Sequence, residues 1–198
     1  TNAKRIVFAE ADGIPGLIVD QYGSTAVVQV RSLGIELLKP HWNEPLREVF
    51  DLDCIFEKSD MAGRKEEGLE DCVGELFGSL PETIEFEEDG FRFQADVRNG
   101  LKTGFYLDQR DTRRRLRERI EAGENVLDAF CYSGSCSIYA ASIGASVIGI
   151  DIHPAAIELA NHHAEINNLS SNCSFELANA FDWLSETESQ EKFDWMIL

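Results

Sequence analysis

With 198 residues, 43% of them hydrophobic, the chain has the composition of an ordinary globular protein and is long enough for one good core or two small ones. Thirty-six acidic against 18 basic residues leave a formal charge of −18 at pH 7, which argues against a general electrostatic grip on nucleic acid. No run approaches the roughly 20 apolar residues that cross a bilayer, the opening Thr1-Asn2-Ala3-Lys4-Arg5 has no signal-peptide pattern, and the five scattered cysteines form no C-x-x-C pair.

A cytoplasmic protein with reduced thiols, no disulfide framework and no metal site is therefore expected. The acidic runs read as solvated surface. One segment departs from the acidity: Arg110 to Arg119 carries six arginines in ten residues and could meet phosphate.

In chain order, Arg5–Ala9 is a short strand. Gly16–Tyr22 follows a Pro15-Gly16 turn, and a turn at Gly23-Ser24 leads into Ala26–Val30, so an antiparallel pair is predicted. Between Pro40 and Phe50 the apolar Trp42, Leu46, Val49 and Phe50 recur at helical spacing, with Pro40 suited to a first turn. Cys54–Glu57 is another strand. Ile84–Ala95 alternates around Asp89-Gly90 and predicts a hairpin. A domain boundary is placed at this hairpin, giving a β-rich accessory domain over 1–94 and a second domain over 95–198.

Beyond it the pattern becomes strand–helix alternation. Asn125–Phe130, Ser146–Asp151, Ser174–Leu177 and Phe193–Leu198 read as strands, the first two as parallel strands buried on both faces. Ser135–Ile143, Pro154–Asn168 and a segment opening at Phe181–Ser185 read as helices. The inner face of the second is Ile157, Leu159, Ala160, Ala164 and Ile166. Such alternation implies an α/β, doubly wound sheet.

In that fold a ligand sits beyond the carboxyl ends of the strands. Three ends carry polar groups there: Asp128 with the turn Ala129-Phe130-Cys131-Tyr132-Ser133-Gly134-Ser135, then Asp151 with Ile152 and His153, then Asn179-Ala180-Phe181. A nicotinamide cofactor would need G-x-G-x-x-G in the turn, and Gly134 is the only glycine there. Asp128 would also sit where a diphosphate must go. S-adenosylmethionine brings an ammonium and a sulfonium instead, both favoured by a carboxylate.

On this reading Gly134 lets the turn approach the methionine portion and Asp151 accepts from the ribose hydroxyls. Asn179 would accept from the adenine amine, with Ile152 and Phe181 sandwiching the ring. An aspartate ending a strand can equally be a simple helix cap; three polar groups in register favour a site.

Asn99-Gly100-Leu101-Lys102-Thr103-Gly104-Phe105-Tyr106-Leu107-Asp108-Gln109-Arg110-Asp111 is not explained by periodicity. It resembles the K-T-G-[FY]-[FY]-L-D-Q-R segment of the 23S ribosomal RNA cytosine-5 methyltransferases that carry an N-terminal PUA domain. Phe8–Asp20, Lys58-Ser59-Asp60 with Arg64–Gly68, and Asp128–Gly134 match in the same order.

The resemblance implies a Rossmann-like class I methyltransferase sheet, truncated here, preceded by a small β-rich α+β domain. Also implied are S-adenosyl-L-methionine as cofactor, large-subunit ribosomal RNA as partner, and a central domain that could form a homodimer. It places Phe105, Leu107 and Gln109 at the methionine end, while Lys102 and Arg110 either serve the site or hold the segment against the sheet. Asn179 stands where the family usually has Asp, and Ser135 where it has a second glycine.

The D-P-P motif and the cysteine nucleophile of the family would follow Leu198, and with half its sheet missing this chain alone is expected to bind cofactor weakly or not at all. Another RNA or a small molecule as substrate, or a non-catalytic RNA-binding role, are the alternatives.

Overall fold

The computed structural model describes residues 1–186 and 193–198, and the chain falls into two compact units, Thr1–Leu107 and Asp108–Leu198. In the first, β1 (Ala3–Phe8), β2 (Leu17–Tyr22) and β3 (Thr25–Val30) form an antiparallel meander. Tyr22 pairs with Thr25 across the two-residue Gly23-Ser24 loop, where Gly23 has φ 58°. Two helices, α1 (Leu33–Leu37) and α2 (Lys39–Phe50), then carry the chain to β4 (Cys54–Ser59), which lies parallel to β3. A crossover through helices is what a parallel pair requires. After the short helix α3 (Gly63–Glu66), β5 (Cys72–Phe77) closes the sheet in the order β1-β2-β3-β4-β5.

Strands β2 and β3 are buried on both faces. Leu17, Val19, Ala26, Val28 and Val30 join Ile35 and Leu46 from the helices. On the opposite face Tyr22 meets Phe86 of the hairpin β6 (Ile84–Glu88) and β7 (Phe91–Ala95), ring centroids 5.3 Å apart. The hairpin turns at Asp89 (φ 52°) and Gly90 (φ 87°), the two left-handed residues that a type I′ loop needs. Of the apolar face expected for α2, Leu46 is buried but Val49 is 74% exposed and faces away from the core.

The segment 95–107 belongs to the first unit. Thr103 explains why: its hydroxyl donates to Asp20 Oδ2 at 2.6 Å and lies 3.1 Å from the Tyr22 hydroxyl. Asp20 is itself held by both ends of the Arg5 guanidinium, at 2.8 Å each. Gly104 adopts φ 102°, and a Cβ there would stand 2.8 Å from the Asp96 carbonyl carbon, so the turn admits glycine alone.

The second unit opens with α4 (Arg110–Arg119) and continues as β8 (Asn125–Asp128), α5 (Ser135–Ala141), β9 (Ser146–Asp151), α6 (Pro154–Ile166), β10 (Cys173–Leu177), α7 (Ala180–Glu186) and β11 (Trp195–Ile197). Its strands are all parallel, in the order β10-β9-β8-β11. Because side chains alternate across a strand, paired residues sort into two layers. Val126 and Val147 pack with Leu116, Ile120, Ala140 and Ala141 on the face of α4 and α5; Leu127, Ile148 and Ile150 pack with Ala180 and Trp183 of α7 on the other. This is the doubly wound sheet that the sequence predicts. Helix α6 stops at Ile166, since Asn168 is left-handed (φ 58°), and its buried face is Ala156, Ile157, Ala160, His163 and Ala164.

Candidate functional site

The carboxyl ends of β8, β9 and β10 gather the charged groups of the second unit's sheet. Asp128 ends β8 with only 3% of its surface exposed, accepting a hydrogen bond from Ser137 Oγ at 2.7 Å. No cation partners it among the described residues. Burial pushes its carboxyl from the ordinary 3.8 up to about 6, against the pull of the Ser137 hydrogen bonds and with a smaller push from the Asp151 charge.

Asp151, ending the neighbouring β9, ties two backbone segments together. Its Oδ2 accepts from the Tyr132 N–H at 2.8 Å and its Oδ1 from the His153 N–H at 2.9 Å. Each carboxylate oxygen keeps a second lone pair for an incoming hydroxyl.

The turn between β8 and α5 is built from left-handed residues, Tyr132 (φ 48°) and Gly134 (φ 70°), closed by the Gly134 N–H on the Cys131 carbonyl at 2.8 Å. From its position in the turn, Gly134 was expected to admit the methionine portion of a ligand. The structure gives another reason. A Cβ on Gly134 would lie 2.9 Å from the Phe175 ring and 3.0 Å from Ala160 Cβ, so the missing side chain makes room for the core beneath the turn. Gly149 of β9 makes room along the same edge of that ring, where a Cβ would meet Phe175 Cδ1 at 2.5 Å.

Ser133 is buried, and its Oγ has no hydrogen-bond partner among the described residues, which is costly unless something outside the chain satisfies it. Its carbonyl lies 2.8 Å from Nδ1 of the fully buried His163 of α6.

Asn179 departs from the role expected of it. Its Oδ1 accepts the N–H groups of Phe181 at 2.9 Å and Asp182 at 3.4 Å, so the side-chain oxygen caps α7 and is not free to receive an adenine amine. What Asn179 keeps for a ligand is its Nδ2 donor. Ala180 is buried behind it. Around these polar groups the apolar Phe130, Ile152 and Phe181 are 53%, 61% and 73% exposed, with the two phenyl rings 6.0 Å apart and edge to face. Exposed apolar side chains grouped beside carboxylates suit an amphiphilic ligand.

The remaining candidates differ. Phe105 belongs to the first unit, where its fully buried ring packs against Phe86 at 4.8 Å and Phe93 at 5.2 Å. Leu107 is buried at the start of a 3-10 turn, and Gln109 is exposed as the residue preceding α4. Lys102 sits over the Tyr106 ring at 4.1 Å, a local contact within its own segment. Sequence reasoning missed Ser137, His163, Gly149 and Phe175. His163 was within reach, since with Ala156, Ala160 and Ala164 it continues the buried spacing of α6. A cavity of about 490 Å³ opens at the opposite, amino ends of the strands among Asn125, Ser146, Asn172 and Ser174, but no charged side chain lines it.

A parallel sheet of this order is a Rossmann-like α/β fold, which the chain shares with a candidate S-adenosylmethionine-dependent methyltransferase of Streptococcus mutans. Residues 120–198 match the family described as a methyltransferase domain. Over 98% of its length the chain is 40% identical to ribosomal RNA large subunit methyltransferase I of Aeromonas hydrophila, covering 50% of that protein. It is also 40% identical over 98% of its length to a candidate ribosomal RNA large subunit methyltransferase of Methanocaldococcus jannaschii, again covering 50%. A candidate methyltransferase solved in complex with S-adenosylhomocysteine superposes over the whole chain and 51% of its own, with TM-score 0.87 and 25% identity. The chain spans about half the length of the curated relatives it matches.

Proposed function

We propose that this chain is part of an S-adenosylmethionine-dependent enzyme that methylates carbon 5 of cytosine in large-subunit ribosomal RNA. The observation that carries the cofactor is the pair of carboxylates at adjacent strand ends, with Asp128 buried and without a cation among the described residues. A buried carboxylate with no positive partner is an expensive thing to keep, and a cationic ligand repays it. The orphaned Ser133 Oγ in the same turn points the same way.

The residues fit the cofactor as follows. Asp128 and the turn Phe130-Cys131-Tyr132-Ser133-Gly134 would hold the amino-acid end, Asp128 by charge and the turn by its backbone and the Ser133 hydroxyl. The two oxygens of Asp151, already oriented by backbone N–H groups, would accept the ribose hydroxyls. Ile152 and Phe181 would cover the adenine faces, with Phe130 beside Phe181, while Asn179 would donate through Nδ2 with the buried Ala180 behind it. Phe105, Leu107 and Gln109 join the set on the resemblance of their segment alone. When bound, the cofactor supplies an electrophilic methyl group on a sulfonium.

Support for the RNA target comes from the relatives named for large-subunit ribosomal RNA. Carbon 5 of cytosine is a weak nucleophile, and addition of a cysteine thiolate at carbon 6 makes it enamine-like. Cys131 in the cofactor turn and Cys173 of β10 are poor candidates. Burial pushes the Cys131 thiol far above its ordinary 9.0, with Asp128 and Asp151 adding to the effect, and burial pushes Cys173 up to about 12. The resemblance places the nucleophile in a part of the enzyme outside these residues.

The test is incubation of the full-length protein with undermethylated large-subunit RNA and S-adenosylmethionine, followed by mass spectrometry of the nucleosides. We expect one new 5-methylcytidine per RNA; methyl transfer to another base or atom would refute the assignment.

A further inference from the structure

We propose that the solvent-facing side of α4 is the surface on which this protein takes up RNA phosphate, an inference that rests on the RNA-methyltransferase reading above. Helix α4 has the sequence RDTRRRLRER, with six of the chain's 18 basic residues and two of its 36 acids. Elsewhere 12 bases face 34 acids. RNA approaching such a chain is repelled almost everywhere, so attraction must be concentrated where the sign reverses.

The packing fixes which arginines point outward. Leu116 and Ile120 join the core cluster under α5, and Arg113 is fully buried with its guanidinium 5.9 Å from the Tyr139 ring. That leaves Arg114, Arg115, Arg117 and Arg119 exposed to solvent. Simple compensation of the helix dipole accounts for Arg117 and Arg119 in the last turn but not for Arg114 and Arg115. The contact of Arg114 with Asp111 spans 3.5 Å to an acid that is 84% exposed, a pair of little energetic weight.

The choice of residue is informative too. Every base in α4 is arginine, whose planar fork matches the paired oxygens of a phosphate as lysine does not. A contact of this kind reads backbone, not sequence, so α4 would position RNA while other residues select the base.

The experiment is a triple variant, Arg114→Gln with Arg115→Gln and Arg119→Gln, in the full-length protein. Its binding to protein-free large-subunit ribosomal RNA is followed between about 50 and 200 mM salt. Each lost phosphate contact removes about 0.7–0.9 from the slope of log Kobs against log salt. We expect the slope to fall by about 2 and low-salt affinity by tenfold or more, with S-adenosylmethionine affinity unchanged. An unchanged slope would overturn the proposal. Loss of RNA and cofactor binding together, with a lowered unfolding midpoint, would show a structural role and overturn it too. Absence of RNA binding by the unaltered protein, with cofactor binding intact, would instead refute the RNA-substrate reading itself.

Discussion

Asp20 in the first unit and Asp128 in the second are both buried carboxylates, yet the chain treats them in opposite ways. Asp20 is saturated: Arg5 grips it with two hydrogen bonds and Thr103 adds a third. Glu57 is likewise fully buried and charge-paired, with Lys39 at 2.8 Å and Arg64 at 3.9 Å. Among the described residues Asp128 receives only the Ser137 hydroxyl and backbone hydrogen bonds, and burial displaces its carboxyl toward the neutral form. A paired buried charge holds structure together, and one left without its cation is held ready for a ligand.

Breaking the first kind should cost stability. Asp20→Ala leaves Arg5 without its acid and Thr103 without its acceptor, and is expected to destabilise the protein by about 3–5 kcal/mol in urea unfolding. An effect below about 1 kcal/mol would show that the pair does not hold the Lys102-Thr103-Gly104 segment.

Altering the second kind should do the reverse. Asp128 titrates near 6 when folded against 3.8 in the unfolded chain, so the native state holds the extra proton between those values. Its stability declines as pH rises from about 4 to 6, and the full cost is present at neutral pH. Asp128→Asn is therefore expected to stabilise the cofactor-free protein at pH 7 by up to about 3 kcal/mol, and not at pH 3.5. Equal unfolding midpoints for the two proteins at pH 7 would deny that the carboxylate is held at a cost.

Two smaller changes probe the frame around it. Gly134→Ala forces a side chain into a left-handed position and onto the Phe175 ring, for an expected loss of about 1–3 kcal/mol. Asn179→Ala removes the cap of α7 and should cost about 1 kcal/mol, whereas Asn179→Asp should keep that cap. Thermal unfolding of the three variants side by side ranks them; Asn179→Ala proving the most damaging would reverse the account.

How much of this the sequence shows depends on the range of the interaction. The hairpin at Asp89-Gly90, the buried runs at Val126 and Val147 and the polar groups at Asp128 and Asp151 are local patterns, and all are legible. Strand β5 was not, because Cys72–Phe77 includes Gly74 and Glu75 and is only half buried. The pairing of β4 parallel to β3 was hidden for lack of any local mark. The Thr103–Asp20 bond joins residues 83 apart, and no periodicity registers such a contact. At the site the residue types were legible and their tasks less so. Asn179 and Gly134 occupy the expected places but answer first to a helix end and to a ring beneath the turn.

The most direct test is calorimetric titration of S-adenosylmethionine into the full-length protein from pH 5 to pH 8, with Asp128→Asn and Asp151→Ala alongside. The account predicts tight binding above about pH 7 that weakens toward tenfold per pH unit below about 6, with both variants weak throughout. Equal affinity at pH 5 and pH 8, or binding of NAD in place of S-adenosylmethionine, would contradict it.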